Sequence, residues 1–133
     1  MCMIDWSDGP CVMLHSQQRK ARKEHKCGEC YRVIRKGELY LNEGTLFDGQ
    51  KSTVKTCSHC QVVRDWLSDE CGGFLFEGVR EDMIEHVRDE LYPLSVWRLA
   101  AGIRRKWQTR SGRTMRVPIL PPTSHQLYKR LQA

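Results

Sequence analysis

A chain of 133 residues, 40% hydrophobic and 29% charged, has the composition of a globular fold rather than of a fibre or a disordered tail. Its length suits one domain, or a small domain with an appendage, and no apolar run approaches the roughly 20 residues that a bilayer-spanning helix needs. The net charge of +6 is unevenly spread: residues 1–90 hold all 16 acidic residues against 13 basic ones, while residues 91–133 hold nine basic residues and no acid.

Met1–Leu14 lacks a basic lead-in and is interrupted by acids and Gly9-Pro10, so no secretory leader is expected and the cytoplasm is the expected location. Residues 1–15 read as irregular, with a turn at Asp8-Gly9-Pro10, and 16–26 as a basic short helix or arm. Residues 1–21 are thus expected to form an irregular N-terminal arm. Tyr31–Ile34 and Glu38–Asn42 read as strands around a Lys36-Gly37 turn, and Thr45–Phe47 and Ser52–Val54 as a hairpin around Asp48-Gly49. From Ser58 to about Asp69 the period is helical, with Val62, Val63, Trp66 and Leu67 on one face.

Cys71-Gly72-Gly73 breaks that helix, and Phe74–Phe76 is a short apolar run. Arg80–Leu91 reads as an amphipathic helix with Val79, Met83, Ile84, Val87 and Leu91 on its apolar side, ended by Pro93. A further helix starts near Leu94 and carries Val96, Leu99, Ala100, Ile103 and Trp107. Arg110–Arg113 reads as a turn between basic extended pieces, Pro118, Pro121 and Pro122 exclude regular helix, and a last short helix spans Ser124–Leu131. The expected class is α+β: a treble-clef-like zinc module over 22–78 and a helical basic extension over 79–133 packed on it.

Seven cysteines, an odd number, point away from a disulfide framework and toward metal ligands with some free thiols. Cys27-Gly28-Glu29-Cys30 and Cys57-Ser58-His59-Cys60 are two C-x-x-C turns, which together complete a tetrahedral thiolate shell. Soft thiolates in that geometry select Zn²⁺, less often iron. Four cysteines leave no coordination position for water, so one structural ion is expected. Gly28 is expected to supply a left-handed knuckle, and Lys26 and Lys55 to offset the site's negative charge. The second pair opens a helix, whose free N–H groups favour thiolate. That order of knuckle, hairpin and helix is the layout of a treble clef.

The strings RKARKEHKCGEC, IRKGELY, FDGQKSTVKTCSHCQVVRDWL and CGGFLFEGVREDMIEHV, over about residues 19–90, resemble a family of small phage and bacterial zinc proteins with two Cys-x-x-Cys pairs. The resemblance implies a metal site at Cys27, Cys30, Cys57 and Cys60 and a phage or prophage origin. It supplies no activity.

Other clusters read more blandly. Cys2, Cys11 and Cys71, with His15 or His25, match no strong metal spacing; Cys71 reads as a buried small hydrophobe and Cys2 as a loose thiol. Asp82, His86 and Asp89 share a helix face opposite the apolar stripe, which reads as solvated. His59 lies between two ligands, where it can tune the metal. The signatures of zinc deaminases, HNH-type nucleases, phosphate loops and nucleophile elbows are missing, so no catalytic residue is assigned and the protein is expected to be non-enzymatic.

The expected function is nucleic-acid binding, to DNA or RNA. Its candidate contacts are Arg19, Lys20, Arg22 and Lys23, joined by Arg98, Arg104, Arg105, Lys106, Arg110, Arg113 and Arg116. Trp107 among them can stack a base, although its place on the apolar stripe reads as core. The alternatives are a phage-encoded adaptor or inhibitor that takes an acidic host-protein surface, and a structural module of a larger assembly. A competing reading folds the basic tail onto residues 65–90, where nine acids face only Arg80 and Arg88. No membrane partner is expected, and oligomeric state is left open.

Overall fold

The structure, a computed structural model, describes residues 12–132. Strands come first and helices follow: β1 (Val12–Lys20), β2 (His25–Lys26), β3 (Val33–Ile34), β4 (Leu39–Phe47), β5 (Gln50–Cys57), α1 (Ser58–Cys71), α2 (Val79–Asp89), α3 (Leu94–Arg104) and α4 (Ser124–Gln132). The class is mixed α+β, with an antiparallel sheet ordered β1-β4-β5 and a small β2-β3 ladder. Asp48 and Gly49 connect β4 to β5 with φ of 51° and 74°, the left-handed pair that a tight two-residue hairpin demands.

Two expectations about the strands are corrected. The irregular arm or short basic helix is instead β1 over residues 12–20, paired along its length with β4 from Val12↔Leu46 to Lys20↔Leu39. All nine residues of β1 are exposed, so it has no apolar alternation to read; pairing with β4 alone makes it a strand. The Asp8-Gly9-Pro10 turn and the rest of 1–11 lie outside the described residues. Residues 31–42 do not close on themselves either: β3 pairs with β2, and β4 with β1 and β5. The Ala21 and Gly37 N–H groups donate to Glu38 O and Ala21 O, which hands the chain from β3 across to the larger sheet.

The helices bury the faces their periodicity marks. Val63, Trp66 and Leu67 of α1, Val79, Met83 and Val87 of α2, and Val96, Leu99 and Ile103 of α3 form one cluster that also contains the four cysteines. Each fully buried large side chain contributes on the order of 1.5–3 kcal/mol. Gly72 caps α1 in the left-handed conformation, its N–H donating to Ser68 O. Leu91, expected on the α2 stripe, is 100% exposed because α2 stops at Asp89 and Glu90 is extended. Beyond α3 the chain returns over α1, where the Trp66 indole N–H donates to Pro122 O and the Ser124 N–H to Glu70. Among the described residues no helix is long and apolar enough to cross a membrane.

Trp107 does not continue α3. That helix ends at Arg104, and Lys106 and Trp107 take φ of 55° and 56°, which swings the indole back beneath the helix. The Trp107 N–H donates to Gly102 O at 2.8 Å. A Cβ on Gly102 would stand 2.1 Å from Trp107 Cζ3, so only glycine leaves room for the ring. Gly102→Ala is therefore expected to destabilise the fold by about 1–3 kcal/mol through overpacking, despite alanine's better helix propensity of about 1 kcal/mol. Thermal melts and the near-ultraviolet circular dichroism of the buried indoles would measure this; an unchanged or raised melting temperature would refute it.

Candidate metal centre

Cys27 and Cys30 stand on the turn between β2 and β3, Cys57 ends β5, and Cys60 lies in the first turn of α1. The sulfurs of all four lie within 4.8 Å of one another, and all four residues are fully buried. A tetrahedral ion with metal–sulfur bonds of about 2.3 Å sets its sulfurs about 3.8 Å apart; Cys30 Sγ and Cys57 Sγ are 3.9 Å apart. That spacing is far from a disulfide and close to a coordination edge. The donor set thus fits a tetrahedral metal ion.

Local backbone builds the knuckle. Gly28 N–H donates to Lys55 O at 2.8 Å and Tyr31 N–H to Cys27 O at 3.0 Å, tying the first pair to β5 beside the second. The left-handed residue is Tyr31, with φ of 64°, and not Gly28, where a Cβ would meet only ordinary contacts. Cys57 is the N-cap of α1, so free N–H groups of the first turn surround the second pair. The N–H groups of Glu29 and Cys57 lie 3.5 and 3.4 Å from Cys27 Sγ and donate to it. Hydrogen bonds with Cys27 and Cys30 draw the Cys57 thiol far below the usual range, while those with Cys27, Cys30 and Cys57 hold Cys60 above it. Without a cation the four cannot all ionise; a bound divalent ion is what lets four thiolates coexist.

Three side chains enclose the sulfurs. The Trp107 indole N–H donates to Cys60 Sγ at 3.3 Å, and Trp107 is 2% exposed. His59 is buried beside Cys57 and bridges the centre to its surroundings. Its Nε2–H donates to Met115 O at 2.5 Å, and its Nδ1 accepts from Arg32 at 3.4 Å. His59 therefore works as a strut to the tail. Arg32 is also buried and forms two hydrogen bonds with Glu38. Burial opposes its charge, but Glu38 and the Cys57 thiolate more than offset this and raise its pKa. Arg32, rather than Lys26 or Lys55, is the cation at the thiolates: Lys26 lies over the Tyr31 ring and Lys55 donates to His25.

Sequence reasoning missed a buried ionic hub beneath the centre. Arg64 of α1 contacts Glu43 of β4 at 2.5 Å and Glu29 of the knuckle at 3.3 Å, and its guanidinium lies over the rings of Phe74 and Phe76. Glu29, only 1% exposed, also accepts the N–H groups of Glu77 and Val79. Burial pushes its carboxyl up, against the pull of Arg64. One sequence signal existed: Arg64 lies four residues after Cys60 and three before Leu67, on the apolar face of the helix.

The weaker clusters resolve differently from expectation. His86 is buried, not solvated: its Nδ1 lies 2.9 Å from the Asp82 carbonyl and its Nε2 2.9 Å from Cys71 Sγ. Asp89 is exposed and pairs with Arg88, so the three do not converge. Cys71 is disulfide-bonded rather than a free buried thiol. Cys2 and Cys11 lie outside the described residues.

The basic candidates are all on the surface. Arg19, Lys20, Arg22 and Lys23 are exposed and line a cleft of about 720 Å³ with His25 and Tyr40. Burial, then Lys55 and Lys23, lowers the pKa of His25, which favours its neutral form. Arg98, Arg104, Arg105, Lys106, Arg110, Arg113 and Arg116 are exposed as well. Arg110 and Arg113 occupy the tip of a small loop closed by a Gln108↔Thr114 bridge and by the Met115 N–H donating to Trp107 O at 2.7 Å. Both ends of that loop rest on the centre, through Trp107 on Cys60 and Met115 on His59. Among the described residues no ion pair joins these cations to the acidic 65–90 stretch.

No family model, curated protein or solved structure matches the chain.

Proposed function

We propose that the chain is a treble-clef zinc protein that binds nucleic acid through its basic segments, with zinc in a structural role. Zinc, when bound, supplies cohesion between the knuckle and the α1 N-terminus, since four sulfurs leave it no open position. The reading of the clef rests on the order of knuckle, β4–β5 hairpin and a helix that begins at the second ligand pair.

One observation carries the nucleic-acid reading. Among the described residues the tail cations stay exposed and form no ion pair with the acidic stretch of the same chain that lies next to them in sequence. Self-neutralisation would be the cheaper use of those charges; leaving them to solvent leaves them to a polyanion. The loop that carries Arg110 and Arg113 is moreover anchored on the metal centre, so the charges are held in a fixed place.

The test is fluorescence anisotropy with labelled DNA and RNA at rising salt. Affinity is expected to fall steeply between about 50 and 200 mM salt. Arg110→Ala with Arg113→Ala is expected to weaken binding evenly across sequences and to make the salt slope shallower by about 1–2. Absence of binding at low salt would overturn the reading. A second reading, an adaptor on a host-protein surface, is favoured by the sheet edge, where Val12, Met13 and Leu14 of β1 are exposed. A heteromeric complex that survives high salt would support it instead.

A further inference from the structure

Trp97 has no role in the metal centre or the core, yet it is a large aromatic that is 44% exposed. It forms one wall of a pocket of about 500 Å³ between α2 and α3, a size within the range of small-ligand sites. Ile84 and Val87 of α2 line the opposite side, and Ala101, one helical turn beyond Trp97, leaves the space open. Arg104 and Arg105, one further turn along, complete the lining, and both are exposed. Among the described residues no carboxylate lines the pocket.

We propose that this pocket takes an unstacked nucleobase of a single-stranded nucleic acid, the base stacking on Trp97 while Arg104 and Arg105 hold the flanking phosphates. The inference rests on the nucleic-acid reading above and narrows it to single strands, because a base inside a duplex is already stacked and cannot enter. The chemistry fits part by part. A partly exposed indole suits a flat ring, aliphatic walls suit its edges, and two exposed guanidiniums suit phosphate. A short pocket bounded by a few residues of two helices admits a single ring more readily than the several anchors of a docked helix. Trp107, which the sequence offered for stacking, is buried on Cys60 and is unable to serve. Trp97 stands instead on the same basic segment, next to Arg98.

The test compares wild type, Trp97→Ala and Trp97→Phe on labelled oligothymidine, oligouridine, an abasic strand of equal length and a duplex. Circular dichroism and metal content confirm that each variant is folded. Trp97→Ala is expected to weaken binding to oligothymidine and oligouridine roughly tenfold, with the salt slope and duplex affinity unchanged. Trp97→Phe is expected to recover most of the loss, and wild type is expected to bind the abasic strand about as weakly as Trp97→Ala binds oligothymidine. Equal binding of oligothymidine by Trp97→Ala and wild type, or equal binding of abasic and normal strands by wild type, would overturn the stacking site while leaving the basic segments as a nucleic-acid surface. Failure of wild type to bind any of the four defeats the broader reading before a variant is compared. Quenching of Trp97 fluorescence by an acidic amphipathic peptide but not by oligothymidine would also overturn the proposal, and would give the pocket to a protein.

Discussion

Removing the metal with a chelator, or replacing Cys60 by alanine, is expected to unfold the chain rather than loosen one turn of it. The four thiols are fully buried and belong to the same cluster as Trp66, Leu67, Met83, Leu99 and Ile103. Structural zinc sites supply an apparent 10–16 kcal/mol near neutral pH, against a net stability of about 5–15 kcal/mol for a whole domain. Without the ion, the close-set sulfurs must share protons, and the knuckle is held to β5 by the Gly28 N–H bond to Lys55 O and the Cys57 N–H bond to Cys27 Sγ. The expected result is one zinc per chain by elemental analysis, and loss of the cooperative thermal transition in the metal-free protein. A clean melt in fully metal-free protein would show that the centre is not what holds the fold.

Replacing Arg64 by methionine is expected to be the costliest change outside the ligands, about 3–5 kcal/mol. Methionine fills a similar volume, so the loss measures charge. Glu29 and Glu43 would remain buried, Glu29 still facing the Glu77 and Val79 N–H groups but without its cation. The stacking of Arg64 on Phe74 and Phe76 would go as well. Urea unfolding in zinc-saturated buffer would show a lowered midpoint with an unchanged slope. Adding Glu29→Gln and Glu43→Gln to Arg64→Met should restore much of the loss, because it is the unpaired charges that are penalised. If the single variant unfolds at the wild-type midpoint, the hub is a surface-like contact with little bearing on stability.

How far the sequence could be read depends on where the information lies. The sulfur cluster was legible because ligand spacing within a C-x-x-C turn is local, and the β4–β5 turn because Asp48-Gly49 permits little else. The apolar stripes of α1, α2 and α3 were legible for the same reason, as each is set by a 3.6-residue period. β1 was not, since a strand exposed on every residue carries no pattern of its own and exists through its partner. The Arg64 hub joins residues 29, 43 and 64 from the knuckle, the sheet and the helix, and no short window contains it. Trp107 obeyed the helical period and left the helix anyway, because Gly102 and two left-handed residues let it reach a sulfur.

That reach bears on how fast the centre would exchange a bound ion. Cys60 Sγ is shielded by an indole 47 residues further along the chain, and the loop behind that indole is tied down at its far end by Met115 on His59. A competing thiol or chelator attacks through a sulfur or an open coordination face, and at Cys60 the covering group must first swing aside. Turnover of a bound ion would then be gated by the opening of the 107–115 loop rather than by metal–sulfur bond strength alone. Whatever clamps that loop would lengthen the residence time of a bound ion.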